Sequence, residues 1–112
     1  VASVLNEIAK AAGVGVEIAE AAFPIAEEVR GACEILGLDP LYVANEGKLL
    51  AFVARERADE ALALLRESPF GREAAIVGEV TGDHPGRVVL RSRVGGRRVV
   101  DLLTGDQLPR IC

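Results

Sequence analysis

The sequence predicts an α+β domain, with helices packed on one face of a mixed, largely antiparallel sheet. Three observations lead there. Apolar residues recur at helical spacing in three stretches. Short apolar runs bounded by glycine, proline and polar turns mark strands between and after them. Helices and strands do not alternate strictly, as a parallel βαβ fold would demand. At 112 residues the chain is one domain, long enough to bury roughly two-thirds of its unfolded surface without staples. Of its residues 50% are hydrophobic, yet the aromatic ones are only Phe23, Phe52, Phe70 and Tyr42. The core must therefore be built from Val, Leu, Ile and Ala.

The first helix is predicted over Ser3 to Ala12, with Val4, Leu5, Ile8 and Ala12 at helical spacing and Gly13 as its stop. Val14 to Ile18 reads as a short strand, and Ala19 to Pro24 as a loop. A second helix spans about Ile25 to Leu36. There Val29, Ala32, Cys33 and Leu36 fall at i, i+3, i+4 and i+7, and Gly37 supplies the left-handed stop. Asp39-Pro40 opens a turn, Leu41 to Ala44 is a short extended piece, and Asn45-Glu46-Gly47-Lys48 is a polar turn. Leu49 to Ala54 is predicted as an apolar strand buried on both faces. The third helix runs from about Arg57 to Glu67 on a stripe of Ala58, Ala61, Leu62 and Leu65, ended by Ser68-Pro69. Ala75 to Val80 is a strand, followed by the tight loop Thr81 to Gly86. Arg87 to Val94 and Arg97 to Leu103 pair as a hairpin around Gly95-Gly96. Thr104 to Gln107 turns and releases a tail.

The formal net charge of −4 argues against nucleic acid, which needs clustered positive charge. Arg87, Arg91, Arg93, Arg97 and Arg98 gather near the hairpin, where alternating arginines mark a solvated face. No membrane-length apolar run or signal peptide is present, which predicts a soluble, cytoplasmic protein. The chain opens on Val1 inside a helix, as an excised piece of something longer would. Its 1–107 stretch is then the α+β domain and 108–112 a mobile tail.

Several chemistries fall away. There is no Walker loop, and Gly13-Val14-Gly15 is too short for a dinucleotide fingerprint. One histidine and two distant cysteines do not make a zinc site. Cys33 lies on an apolar helix face as a small core residue, and His84 reads as a solvated loop residue. Two features remain. Cys112 ends a run, Leu108-Pro109-Arg110-Ile111-Cys112, whose five extended residues reach roughly 17 Å. It can carry a thiol away from the body of the domain, or be simply an end. Asn45-Glu46-Gly47-Lys48 gathers an amide, a carboxylate and an ammonium at a glycine turn. Glu46 could be a general base if partly desolvated, or the whole turn could be ordinary hydrophilic surface.

Gly37-Leu38-Asp39-Pro40-Leu41-Tyr42-Val43 leading into Ala44-Asn45-Glu46-Gly47-Lys48, together with His84-Pro85-Gly86, Asp101-Leu102-Leu103-Thr104-Gly105 and the ending Pro109-Arg110-Ile111-Cys112, resembles the HypE family of nickel-iron hydrogenase maturation proteins. That family lies in the superfamily of aminoimidazole ribonucleotide synthetase and selenophosphate synthetase. The likeness runs along essentially the whole chain, and the cysteine ending is specific to the family.

The resemblance implies the C-terminal domain of a longer, dimeric protein whose N-terminal domain binds ATP with Mg2+. It implies that a partner carbamoyltransferase loads a carbamoyl group onto Cys112. ATP-dependent dehydration then yields a thiocyanate, and the cyano group passes to iron on a scaffold of two other maturation proteins. Glu46 matches the carboxylate proposed to take the nitrogen proton. Asn45, Gly47 and Lys48 share its motif, while Pro109, Arg110 and Ile111 position the tail. This chain alone is then expected to lack activity and to bind no cofactor. Two other readings stay open: a non-catalytic docking or carrier module, and the equivalent domain of another ATP-dependent synthetase.

Overall fold

The structure, a computed structural model, describes residues 1–44 and 46–102. Helix α1 (Ala2–Ala12) leads into strand β1 (Gly15–Ala19), a single 3-10 turn (Glu20–Ala22) and helix α2 (Glu27–Leu36). A second 3-10 turn (Arg55–Arg57) runs straight into α3 (Ala58–Glu67), followed by β2 (Gly78–Thr81), β3 (Val88–Arg91) and β4 (Arg97–Val99). The four strands form one sheet in the order β2-β1-β3-β4. β1 runs parallel to β3 and antiparallel to β2, while β3 and β4 are antiparallel. The α+β class and the mixed, largely antiparallel sheet are therefore as the sequence predicts.

The core is one face of this sheet under α1. Val16 lies opposite Val88 and Ile18 opposite Leu90 across the parallel pair, so all four project to the same side. They are buried together with Ala2, Leu5, Ala9, Leu41 and Val100. Each Val, Leu or Ile fully buried there contributes about 1.5–3 kcal/mol. The buried stripe of α1 is Ala2, Leu5, Asn6 and Ala9, rotated from the predicted one. Val4 is exposed, Ile8 half-buried and Ala12 exposed. Two alanines let the helix settle close onto the sheet, and Asn6 replaces an apolar residue because its amide is satisfied there.

The sequence places the remaining helices well and their faces less well. α2 carries Glu27 and Glu28 in its first turn, where acidic side chains complement the helix dipole. It stops at Gly37, whose φ of 68° lets Leu38 N–H return to the Cys33 carbonyl at 2.8 Å. Of its predicted stripe only Cys33 is buried; Val29, Ala32 and Leu36 are exposed. On α3 the stripe Ala58, Ala61, Leu62 and Leu65 is the half-buried side and the rest is exposed. No helix among the described residues is long and apolar enough to cross a membrane.

Three local expectations change. Leu49 to Ala54 is not a buried strand: it has no regular structure, and Leu49 and Phe52 are 76% and 47% exposed. An apolar run alone does not say whether both its faces find cover. Leu41 to Ala44 forms a turn rather than an extended piece. The hairpin connection is Ser92 to Gly96 instead of two glycines, because Ser92 Oγ accepts the Gly96 N–H at 3.0 Å and Gly95 takes a φ of 92°. The turn predicted over Thr104 to Gln107 lies outside the described residues.

Candidate functional site

The site begins where the C-terminal segment leaves the sheet. Val100 follows β4, is fully buried, and donates its N–H to the Val88 carbonyl at 2.8 Å. Its own carbonyl accepts a hydrogen bond from Asn6 Nδ2 at 2.8 Å, and the same nitrogen donates to the Ala2 carbonyl at 2.9 Å. One residue further, the Asp101 carbonyl accepts the Tyr42 hydroxyl at 2.7 Å. Beside it Arg98 Nη2 meets Asp39 Oδ2 at 2.8 Å, while Asp39 Oδ1 accepts the Leu41 N–H at 3.0 Å. The Leu41 carbonyl in turn accepts the Ala2 N–H at 3.0 Å.

Val100 and Asp101 are thus tied to α1 and to the 39–42 turn, the segment that runs on into the 45–48 motif. Each neutral hydrogen bond contributes about 0.5–1.5 kcal/mol net. The Arg98–Asp39 pair is half exposed and contributes about 0–1 kcal/mol. Burial pushes the Tyr42 phenol above its ordinary range; the nearby Asp39 and Asp101 carboxylates push the same way, and Arg98 opposes them. The hydroxyl is therefore held protonated, as a donor.

Of the sequence-predicted site residues, Glu46 and Lys48 are exposed and Gly47 adopts a φ of 74°, so the described residues do not provide the partial desolvation expected of a base at Glu46. Asn45, Pro109, Arg110, Ile111 and Cys112 lie outside the described residues. The five arginines near the hairpin are all exposed, with Arg97 paired to Glu17 and Arg98 to Asp39. Asn6 and Arg98 were not singled out as anchors by the sequence. A lone amide amid an apolar helical stripe is the signal that would have found Asn6; Arg98 gave none, being one of several arginines.

His84 is not the solvated loop residue expected. Its φ is 39°, its side chain packs on Gly15, and both ring nitrogens are out of solvent without a hydrogen-bond partner among the described residues. Next to it Pro85, Gly86 and Arg87 join Asn6, Lys10 and Asp101 around an open groove of about 430 Å³.

The N-termini of α2 and α3, natural anion sites, carry Glu27, Glu28, Asp59 and Glu60 in their first turns. The described residues contain no group of three or more His, Cys, Asp or Glu able to hold a metal.

Residues 1–91 match the family described as "AIR synthase related protein, C-terminal domain". The chain is 55% identical over 111 residues to a carbamoyl dehydratase HypE of Rhodobacter capsulatus, covering 99% of this chain and 33% of that protein. Among solved structures, HypE in complex with ATP superposes with a TM-score of 0.90 at 46% identity, covering 99% of this chain and 34% of that one. The HypE-HypF complex gives a TM-score of 0.85 at 42% identity, over 90% of this chain and 32% of that one. The chain thus spans about a third of the length of the relatives it matches.

Proposed function

Because the chain belongs to the AIR synthase related protein C-terminal domain family, and within it to the HypE hydrogenase maturation proteins, we propose that it is the thiol-carrying domain of a carbamoyl dehydratase. In this reading Cys112 accepts a carbamoyl group from a carbamoyltransferase partner in the cytoplasm, forming a thiocarbamate. ATP, a substrate bound with Mg2+ by an upstream domain, phosphorylates the thiocarbamate oxygen as one N–H proton leaves. Glu46 takes the second nitrogen proton as the carbon–oxygen bond breaks. Phosphate departs and a nitrile remains on the sulfur, the source of cyanide for the active-site iron of a nickel-iron hydrogenase. The cyano group passes to that iron on a scaffold of partner maturation proteins. Lys48 belongs to the same motif as Glu46, and Pro109, Arg110 and Ile111 guide the thiol.

The likeness to HypE along almost the entire chain carries the reading. The HypE structures with ATP and with HypF support the nucleotide and the carbamoyltransferase. In this division of labour the domain carries the group, and catalysis needs the upstream region. The intact protein is then a dimer joined through that region.

The test is mass spectrometry of the C-terminal peptide after incubation with the carbamoyltransferase, carbamoyl phosphate and ATP. The chain alone should gain a carbamoyl adduct on Cys112, and a full-length version should convert it to a cyano adduct. Cys112→Ala should gain neither. Absence of any Cys112 adduct on the full-length protein would overturn the reading.

A further inference from the structure

We infer that the uncovered half of the sheet's apolar face, beside β2, is the seat on which the region preceding this domain packs in the longer protein. The inference rests on the upstream region of the reading above, and not on the chemistry of Cys112. α1 covers the β1–β3 half of that face, where Val16, Ile18, Val88 and Leu90 are buried. Val80 stands opposite Val16 across the β1–β2 pair, so it projects to the same side. It is nevertheless 47% exposed, and Ile76, just before the strand, is 50% exposed. The Arg55–Glu79 ion pair, at 2.7 Å, brings the end of the 49–54 stretch beside β2. That stretch adds Leu49, Phe52 and Val53, all exposed. Exposed apolar groups that collect in one region of a soluble protein mark a place where something docks.

The occupant follows from the length of the relatives and the place of this domain in them. The chain matches a C-terminal domain family and covers about a third of the relatives' length, so most of such a protein lies upstream. Val1 packs against the buried core, and the preceding residues of the longer protein therefore arrive at the edge of that core. A segment tethered there acts at a high effective concentration and covers the face without a separate encounter. A free partner has no such advantage. The apolar run 49–53 then finds, from outside this domain, the cover that the domain itself does not give it.

The experiment uses the full-length protein and two readouts. Hydroxyl-radical footprinting by mass spectrometry compares each side chain with itself in the urea-unfolded protein. Leu49 and Phe52 should be modified about tenfold more slowly when folded, as buried side chains are, while Val94 at the far hairpin stays within about twofold. In the second readout Phe52 is replaced by the photo-crosslinking residue benzoylphenylalanine, which keeps the aromatic ring. Irradiation should join position 52 to peptides upstream of Val1. Modification of Leu49 and Phe52 within about threefold of the unfolded rate would overturn the inference, because this domain alone leaves them 76% and 47% exposed. Cross-links confined to residues 1–112 of a second copy would also overturn it, placing a contact between two such domains there. Neither readout involves Cys112, so the carrier reading stands or falls separately, on its adducts.

Discussion

Asn6 shows how a single side chain can join two parts of this fold. It is 4% exposed, and its amide nitrogen donates to carbonyls in α1 and at the end of the sheet. The link spans ninety-four positions of sequence. A buried amide is costly unless satisfied, and here the partner groups are also buried. Asn6→Ala would leave the Val100 carbonyl without that partner and open space beneath α1. We expect a loss of about 1–3 kcal/mol, read as a lower urea midpoint with unchanged slope. A shift below about 0.5 kcal/mol would mean that the amide is not what couples helix to sheet.

At the scale of elements, close approach decides which glycines are replaceable. A Cβ on Gly15 would strike the Asp83 carbonyl and come within 2.7 Å of His84 Nδ1, whereas one on Gly31 would meet nothing within 4 Å. Gly15→Ala should therefore cost about 1–3 kcal/mol by overpacking. Gly31→Ala, inside α2, should stabilise by up to about 1 kcal/mol. Thermal unfolding of the two variants, measured side by side, checks the opposite signs. The same contrast explains what was legible beforehand. Helix stops at Gly13 and Gly37 are local chemistry, and the sequence showed them. The β-branched Val16, Ile18, Val88 and Val89 likewise marked their own strands. The packing of His84 on Gly15 is a meeting of two turns far apart in sequence, which no local pattern encodes. The Tyr42–Asp101 hydrogen bond was hidden for the same reason. Its residues were visible as parts of a familiar motif, but their contact belongs to tertiary structure.

Across the whole molecule, apolar surface is divided unequally. One sheet face under α1 is closed, with Val88, Leu90 and Val100 at or near zero exposure, while Leu49, Phe52 and Val53 stand in solvent. The sequence could not distinguish these groups, since both are runs of Val, Leu and Phe, and composition records hydrophobicity rather than cover. The difference is measurable as energy. Removing three carbons from Leu90 loses transfer free energy and leaves a cavity among packed neighbours, so Leu90→Ala should cost about 2–5 kcal/mol. Phe52→Ser removes a larger side chain, yet one that is 47% exposed and outside the core cluster. With about half of its surface covered it should cost about 1–2 kcal/mol, less than Leu90→Ala. Urea denaturation of this chain on its own gives both values. A cost above about 2 kcal/mol for Phe52→Ser would place residues 49–54 in the core, restoring the buried strand that their sequence suggests. A small cost would show that the larger side chain matters less to this domain than the smaller one, because only Leu90 sits beneath α1.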